Sequence, residues 1–366
     1  MKKSNILKQR LLNQHILGSQ FDNPDDMVRW MTAVQAQDFL SSLWAIGIRV
    51  KNACESDIED AIANRSIVRT WLLRGTIHFV SSQDIRWILD LISPRIIASN
   101  ANFLEKNLQL DSNIFQKSRK VISKALEGGH TLQRKDLYNE LKSADISISD
   151  MRGLHILHRL ALEGVICFGP REGKQHTFTL LDEWIPKNNT MSREKALAEL
   201  ALRYFYSHGP STLQDFRWWS GLTDADACKG LDKNKSKLIS EDINNKTYWF
   251  SNYNKDTDYS YPTSQLIPDF DEYIVGYKDR SHLVNGISNN KMELNEFIFN
   301  PTIILNGEIV GTWKRILKAG KVKILLNLFK KLNNEENRII KEAAITYGKF
   351  IGMPVSVVTV NNGFKG

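Results

Sequence analysis

Two stretches of this chain echo each other: Gly129-His130-Thr131-Leu132-Gln133-Arg134-Lys135-Asp136-Leu137 and Gly209-Pro210-Ser211-Thr212-Leu213-Gln214-Asp215-Phe216. In both, a helix is set to end at glycine, a Ser or Thr stands where it can cap the next helix, and an apolar residue falls within the first turns. Each stretch predicts the turn of a helix-turn-helix. A chain that writes this unit twice is constrained to a repeated architecture.

The flanks repeat as well. Helical periodicity runs over 114–126 and 151–162 around the first echo, followed by the apolar strand Val165-Ile166-Cys167-Phe168, a turn at 169–174 and a returning strand at 177–180. Helix, turn, helix, helix, two-stranded ribbon is the order of a winged helix. Around the second echo, helices are expected at 193–206, 215–220 and 224–231, with strands at 237–240 and 247–250 flanking Asn244-Asn245. The N-terminal region parses in the same way, with helices at 6–17, 25–35 and 55–64 and strands at 68–73 and 76–80 around Gly75. Its apolar middle, 38–50, reads equally as helix or buried strand.

Past residue 256 the texture becomes strand-rich. Asn306-Gly307 lies between apolar strands and supplies the positive φ angles of a type I′ hairpin. Further strands at 321–328 and 355–360 enclose a helix at 334–350. The fold class expected is mainly α with β: three tandem winged-helix domains at 1–82, 83–182 and 190–255, then a C-terminal β-barrel-like α+β domain at 256–366.

A chain of 366 residues exceeds what one core organises, in keeping with several domains. Its formal charge of +8 favours a polyanionic partner, because Lys and Arg that neutralise phosphates release counterions. Cys54, Cys167 and Cys228 are widely spaced and lack a CxxC pair, which argues against a disulfide framework or a zinc site and fits a reducing compartment. No apolar run reaches the ~18 residues of a membrane span, and Lys8, Gln9 and Arg10 interrupt the start of the chain before a signal region develops. A cytoplasmic protein is expected.

Candidate chemistry concentrates in Val34-Gln35-Ala36-Gln37-Asp38 and, some way on, Thr70-Trp71-Leu72-Leu73-Arg74-Gly75-Thr76-Ile77-His78. A Gln side chain offers an acceptor and two donors without charge, so Gln35 and Gln37 can hold a water without acting as a strong base. Such a site suits a leaving group already activated, for example a purine alkylated at N7, which departs from the sugar as a neutral molecule. The other reading makes both glutamines polar residues at the end of the 25–35 helix. Asp38 can polarise the same water or steady a developing oxocarbenium ion, or cap the next helix. In the wing, Arg69, Arg74, Thr76 and His78 are candidate DNA contacts, with Gly75 permitting the turn; the alternative is an ordinary hairpin whose Arg stacks on Trp71. The acids of Pro268-Asp269-Phe270-Asp271-Glu272-Tyr273 lack neighbouring His or Cys and read as structural, with Arg280 a candidate partner. Lys314, Arg315, Lys318, Lys321 and Lys323 read as a solvated face able to support a DNA channel. No metal motif or phosphate-binding glycine loop is visible.

Taken together these motifs resemble the AlkZ-like, or YcaQ-like, bacterial DNA glycosylases. The resemblance rests on Gln35-Ala36-Gln37, on the run Thr70 to His78, on Leu266-Ile267-Pro268-Asp269-Phe270-Asp271-Glu272-Tyr273 and on Val310-Gly311-Thr312-Trp313, in the expected order over nearly the whole chain. It implies three winged helices and a β-barrel around a basic channel. It also implies a monomeric, cofactor-free enzyme that removes bulky or crosslinked N7-alkylpurines from duplex DNA, with Gln35 and Gln37 holding the hydrolytic water. Where the family often has Tyr between the Pro and the acidic pair, this chain has Asp269-Phe270. The rival expectation is a non-catalytic winged-helix regulator or damage sensor, since winged helices serve transcription as well as catalysis.

Overall fold

The computed structural model describes residues 3–18, 20–187, 191–251, 262–284 and 297–360; the expected boundaries at 190, 255 and 256 fall outside them. The chain opens with α1 (Lys3–Asn13), α2 (Pro24–Met31), the short strand β1 (Val34–Gln35), α3 (Phe39–Gly47) and α4 (Glu55–Ala63). The strands β2 (Ile67–Trp71) and β3 (Ile77–Ser81) precede α5 (Ile85–Leu108), α6 (Ser112–Leu126), β4 (Leu132–Gln133) and α7 (Arg134–Ser143). Next come α8 (Arg152–Leu162), β5 (Ile166–Glu172), β6 (Gln175–Leu180) and α9 (Leu181–Trp184). Three helices, α10 (Arg193–Ser207), α11 (Leu213–Ser220) and α12 (Asp224–Asp232), lead to β7 (Ile239–Ile243) and β8 (Lys246–Phe250). The last segment holds β9 (Ser264–Ile267), α13 (Glu272–Val275), β10 (Thr302–Leu305), β11 (Glu308–Lys318), β12 (Lys321–Leu328), α14 (Asn334–Phe350) and β13 (Val355–Thr359).

Local signals account for most of these boundaries. Asn23 caps α2 by accepting the Asp26 N–H at 2.9 Å, and Pro24 opens the helix where a missing N–H costs nothing. The ambiguous stretch 38–50 resolves as the helix α3, capped by Asp38. One long element escaped the sequence reading: α5, with Pro94 inside it. Its buried residues crowd into the first half, from Ile85 to Ser93, so no continuous stripe marks its length.

Two compact units result, Met1–Ile58 with Ala198–Gly366, and Glu59–Leu197. Within Glu59–Leu197 five strands lie in the order β3-β2-β5-β6-β4. Arg69 pairs with Phe79 on one side and with Phe168 on the other, so the hairpins expected to be separate wings share one sheet. Trp71 fills the seam, its ring 5.0 Å from Phe168 and 6.2 Å from Phe178.

In the other unit the strands run β13-β12-β11-β10-β9, antiparallel except for the parallel pair β12 and β13. The Asn306 and Gly307 turn takes the expected positive φ, 52° and 85°. The barrel-like closure expected from sequence is not what forms. The crossover through α14 carries β13 to the far side of β12, leaving β13 and β9 at opposite edges of an open sheet. Helices α3 and α14 cover it: the Trp44 and Trp313 indoles donate to the Leu266 and Ile267 carbonyls at 2.7 and 2.9 Å, and Tyr347 lies 5.2 and 5.1 Å from their rings. In β11 the Gly311 backbone runs so close to Asn327 that a Cβ there would meet its carbonyl oxygen at 2.5 Å. The β7 and β8 hairpin turns on Asn244 and Asn245, both at positive φ as a type I′ turn requires.

Candidate active site

The segment carrying Gln35 and Gln37 is not a helix end. Helix α2 stops at Met31, where Thr32 turns to φ 68°, and the chain leaves as the extended β1. Gln35 is 7% exposed, Ala36 is fully buried and Gln37 is exposed. The segment is therefore anchored through its first two residues and presents the third.

The anchor is an acid from far along the chain. The Gln35 backbone N–H donates to Glu272 Oε1 at 2.9 Å. The other carboxylate oxygen accepts the Trp219 indole N–H at 2.9 Å and lies 3.4 Å from His208 Nε2. Glu272 is 1% exposed, and a buried carboxylate is tolerable only when donors surround it. Burial lowers the His208 pKa, against the pull of Glu272. Gly276 allows this packing, since a Cβ there would sit 2.7 Å from His208 Cδ2.

Beside Glu272, Asp271 forms a two-pronged pair with Arg49, both contacts at 2.8 Å and both side chains within 1% of full burial. Arg280, the candidate partner of this acidic stretch, donates to the Ile274 carbonyl at 2.9 Å. Arg49 also donates to the Gln14 backbone and side chain at 3.0 and 2.8 Å, tying α1 to α3 and α13.

Asp38 caps α3, its Oδ1 accepting the Ser41 N–H at 2.8 Å. The Ser41 hydroxyl donates to Asp269, whose pKa is raised by burial and by the charge of Asp38. Asp38, next to Gln37 in the chain, and Asp269 are thus near enough for their charges to interact.

The Trp71 to His78 run lies in the other unit. Arg74 and Gly75 both take left-handed conformations, φ 56° and 74°, making the tight turn expected around Gly75. Thr76 Oγ1 donates to the Leu73 carbonyl at 3.2 Å, and His78 Nδ1 is 2.9 Å from the Thr76 carbonyl. Arg74 and Thr76 are half-buried, whereas Arg69 and His78 are 4% and 0% exposed. Arg69 stacks 4.5 Å over Phe168. His158 packs against Trp71 and beneath Gly75, and burial holds its pKa down to about 4.

Sequence reasoning missed Glu272, Trp219 and His208 as supports of the glutamine segment. Only one signal pointed to Glu272: an acid leading into the apolar Tyr273-Ile274-Val275, a place where a charge is kept only for a partner.

With this geometry in hand, the chain can be set beside known proteins. The DNA glycosylase AlkZ of Streptomyces sahachiroi superimposes with a TM-score of 0.78 at 18% identity, covering 98% of this chain and 100% of that one. The fold is that of a DNA glycosylase, a class that hydrolyses N-glycosidic bonds. An interstrand DNA cross-link repair glycosylase of Streptomyces sahachiroi is 21% identical, with 79% of this chain and 81% of that protein aligned. The family model for AlkZ-like DNA glycosylases matches residues 28–350, and the chain belongs to that family. Among the described residues, no helix is long and apolar enough to cross a membrane.

Proposed function

We propose that this glycosylase acts as a cytoplasmic monomer on duplex DNA, hydrolysing the N-glycosidic bond of bulky or crosslinked N7-alkylpurines and leaving an abasic site. In this reading, Gln35 and Gln37 hold the attacking water. The base carries its own positive charge, so it leaves without a protonating acid and the amides need only orient the nucleophile. Asp38, whose side chain caps α3, adds a negative charge near the developing oxocarbenium ion. No cofactor enters the reaction.

The observation that carries the proposal is the rigid tether of Gln35 to Glu272 beside an exposed Gln37. Arg74 and Thr76, half-exposed at a sharp turn, are the proposed DNA contacts of the first wing, with Arg69 and His78 supporting them from within the sheet. The exposed Lys314, Lys318 and Lys321 of β11 and β12 add charge suited to phosphates. The helix and hairpin order also supports three tandem winged helices at 1–82, 83–182 and 190–255, with their wings partly merged.

The test is alkali-labile site formation in duplexes carrying N7-methylguanine or a nitrogen-mustard crosslink. Gln35→Ala/Gln37→Ala is expected to slow it ~10²–10⁴-fold, the usual contribution of a group that directs proton transfer. Full activity in that double variant sinks the site; retained DNA binding with no cleavage of any alkylated duplex favours a non-catalytic role.

A further inference from the structure

We infer that Glu272 is a positioning residue for the reaction: its buried carboxylate sets the main chain of Gln35, and through it the water-holding amide, using the α10 and α11 helix pair as its support. The inference rests on the assignment of Gln35 and Gln37 to the hydrolytic water.

The geometry is specific. A carboxylate has lone pairs enough for several donors, and Glu272 divides them between two directions. Oε1 faces Gln35 N at 2.9 Å; Oε2 faces Trp219 Nε1 at 2.9 Å and His208 Nε2 at 3.4 Å. His208 ends α10 and is itself held at Nδ1 by Ser207 Oγ at 2.8 Å; Trp219 lies on α11 and is fully buried. The Glu272 backbone is steadied in turn, because α13 is capped by Asp271, which Arg49 grips. A charged acceptor makes a shorter and stronger bond to a backbone N–H than a neutral carbonyl does.

The second echo thereby acquires a task other than reading DNA. In α11, Asp215, Phe216 and Trp219 are buried, and the Trp219 indole donates to the carboxylate that tethers Gln35.

The experiment compares Glu272→Ala with Glu272→Gln in single-turnover cleavage of N7-methylguanine duplex, alongside binding of undamaged duplex and the amide proton shift of Gln35 in ¹⁵N-glutamine-labelled protein. Glu272→Ala is expected to lose about 100-fold in rate, the scale of a misplaced catalytic group, with duplex affinity kept. Glu272→Gln, which retains an acceptor for Gln35 but sets an amide NH₂ against Trp219, is expected to recover about tenfold of that loss and to shift the Gln35 amide upfield as a charge-assisted bond becomes neutral. Equal losses in the two variants, or an unchanged Gln35 resonance in Glu272→Gln, overturns the inference; the resonance decides it even where Glu272→Ala does not fold. Wild-type rate in Glu272→Ala with an inactive Gln35→Ala/Gln37→Ala variant rejects the positioning role alone, whereas an active double variant rejects the underlying site.

Discussion

The Gly129 and Gly209 turns share a sequence but not a structure. After Gly129, Leu132 and Gln133 extend as β4 to pair with Phe178 and Thr177, and α7 begins with no side-chain cap. The Thr expected to cap it, Thr131, lies ahead of that strand. After Gly209, Thr212 and Asp215 form a full capping box, with Thr212 N–H and hydroxyl donating to Asp215 Oδ2 at 3.0 and 2.9 Å. Asp215 Oδ1 then accepts the Lys278 and Asp279 N–H groups at 2.9 and 3.2 Å. The Gly209 and Pro210 carbonyls accept from Asn13 and Arg10 of α1 at 2.7 and 2.9 Å. One turn has stayed at the surface of its unit, with Asp136 exposed; the other has become an interior junction, with Asp215 at 1% exposure. A repeat predicts local backbone, and burial decides what its polar residues do.

The largest expected effect breaks the contrast at its acids. Asp215→Ala removes one half of a capping box and leaves two part-buried N–H donors without their carboxylate acceptor, a cost of about 2–3 kcal/mol. Asp136→Ala, at an exposed position, should stay within about 0.5 kcal/mol. Urea unfolding of the two variants measures both, and similar midpoints would mean that the turns are equivalent after all.

What was legible in the chain follows the same division. Asn244-Asn245, Asn306-Gly307 and Arg74-Gly75 were readable as turns because their backbones must take positive φ, a demand that local residue type exposes. The helix from Asn334 to Phe350 was readable from its stripe, and its Asn333 cap agrees. The candidate site was half-legible: Gln35 and Gln37 stand out as a pair, but their support comes from Glu272, 237 positions away, and no local pattern encodes such a contact. The open sheet was misread because apolar strands look alike whether or not their edges meet. The helix end given to Gln35 failed since Val34-Gln35-Ala36 continues the apolar pattern of α2 after the backbone has already turned at Thr32.

A smaller effect separates the units by pH. In Glu59–Leu197, burial holds His158 to about 4 against an ordinary 6.5, and burial with nearby Arg69 does the same to His176. The folded state therefore keeps His158 neutral while the unfolded chain binds a proton. Its stabilisation is complete above pH 6.5, is lost as pH falls from there, and is exhausted below about 4. At about 1.4 kcal/mol per pH unit the loss is at most about 3.5 kcal/mol, an upper value for a partly exposed ring. In the other unit burial lowers the His208 pKa too, partly offset by Glu272, whereas Glu59–Leu197 holds both His158 and His176. Hydrogen exchange between pH 6.5 and 4 should rise more in Glu59–Leu197, and His158→Gln should flatten that rise. Uniform loss of protection across both units would remove the distinction.

The smallest effect concerns Asp38, which both caps a helix and raises the pKa of Asp269 by its charge. Asn caps as well as Asp does, while Ala does not, so Asp38→Ala should cost about 1 kcal/mol and Asp38→Asn only a few tenths. If the Asp38 charge also steadies the developing oxocarbenium ion, Asp38→Asn should lower the cleavage rate about three- to tenfold with stability nearly kept. A wild-type rate in Asp38→Asn would confine Asp38 to capping α3.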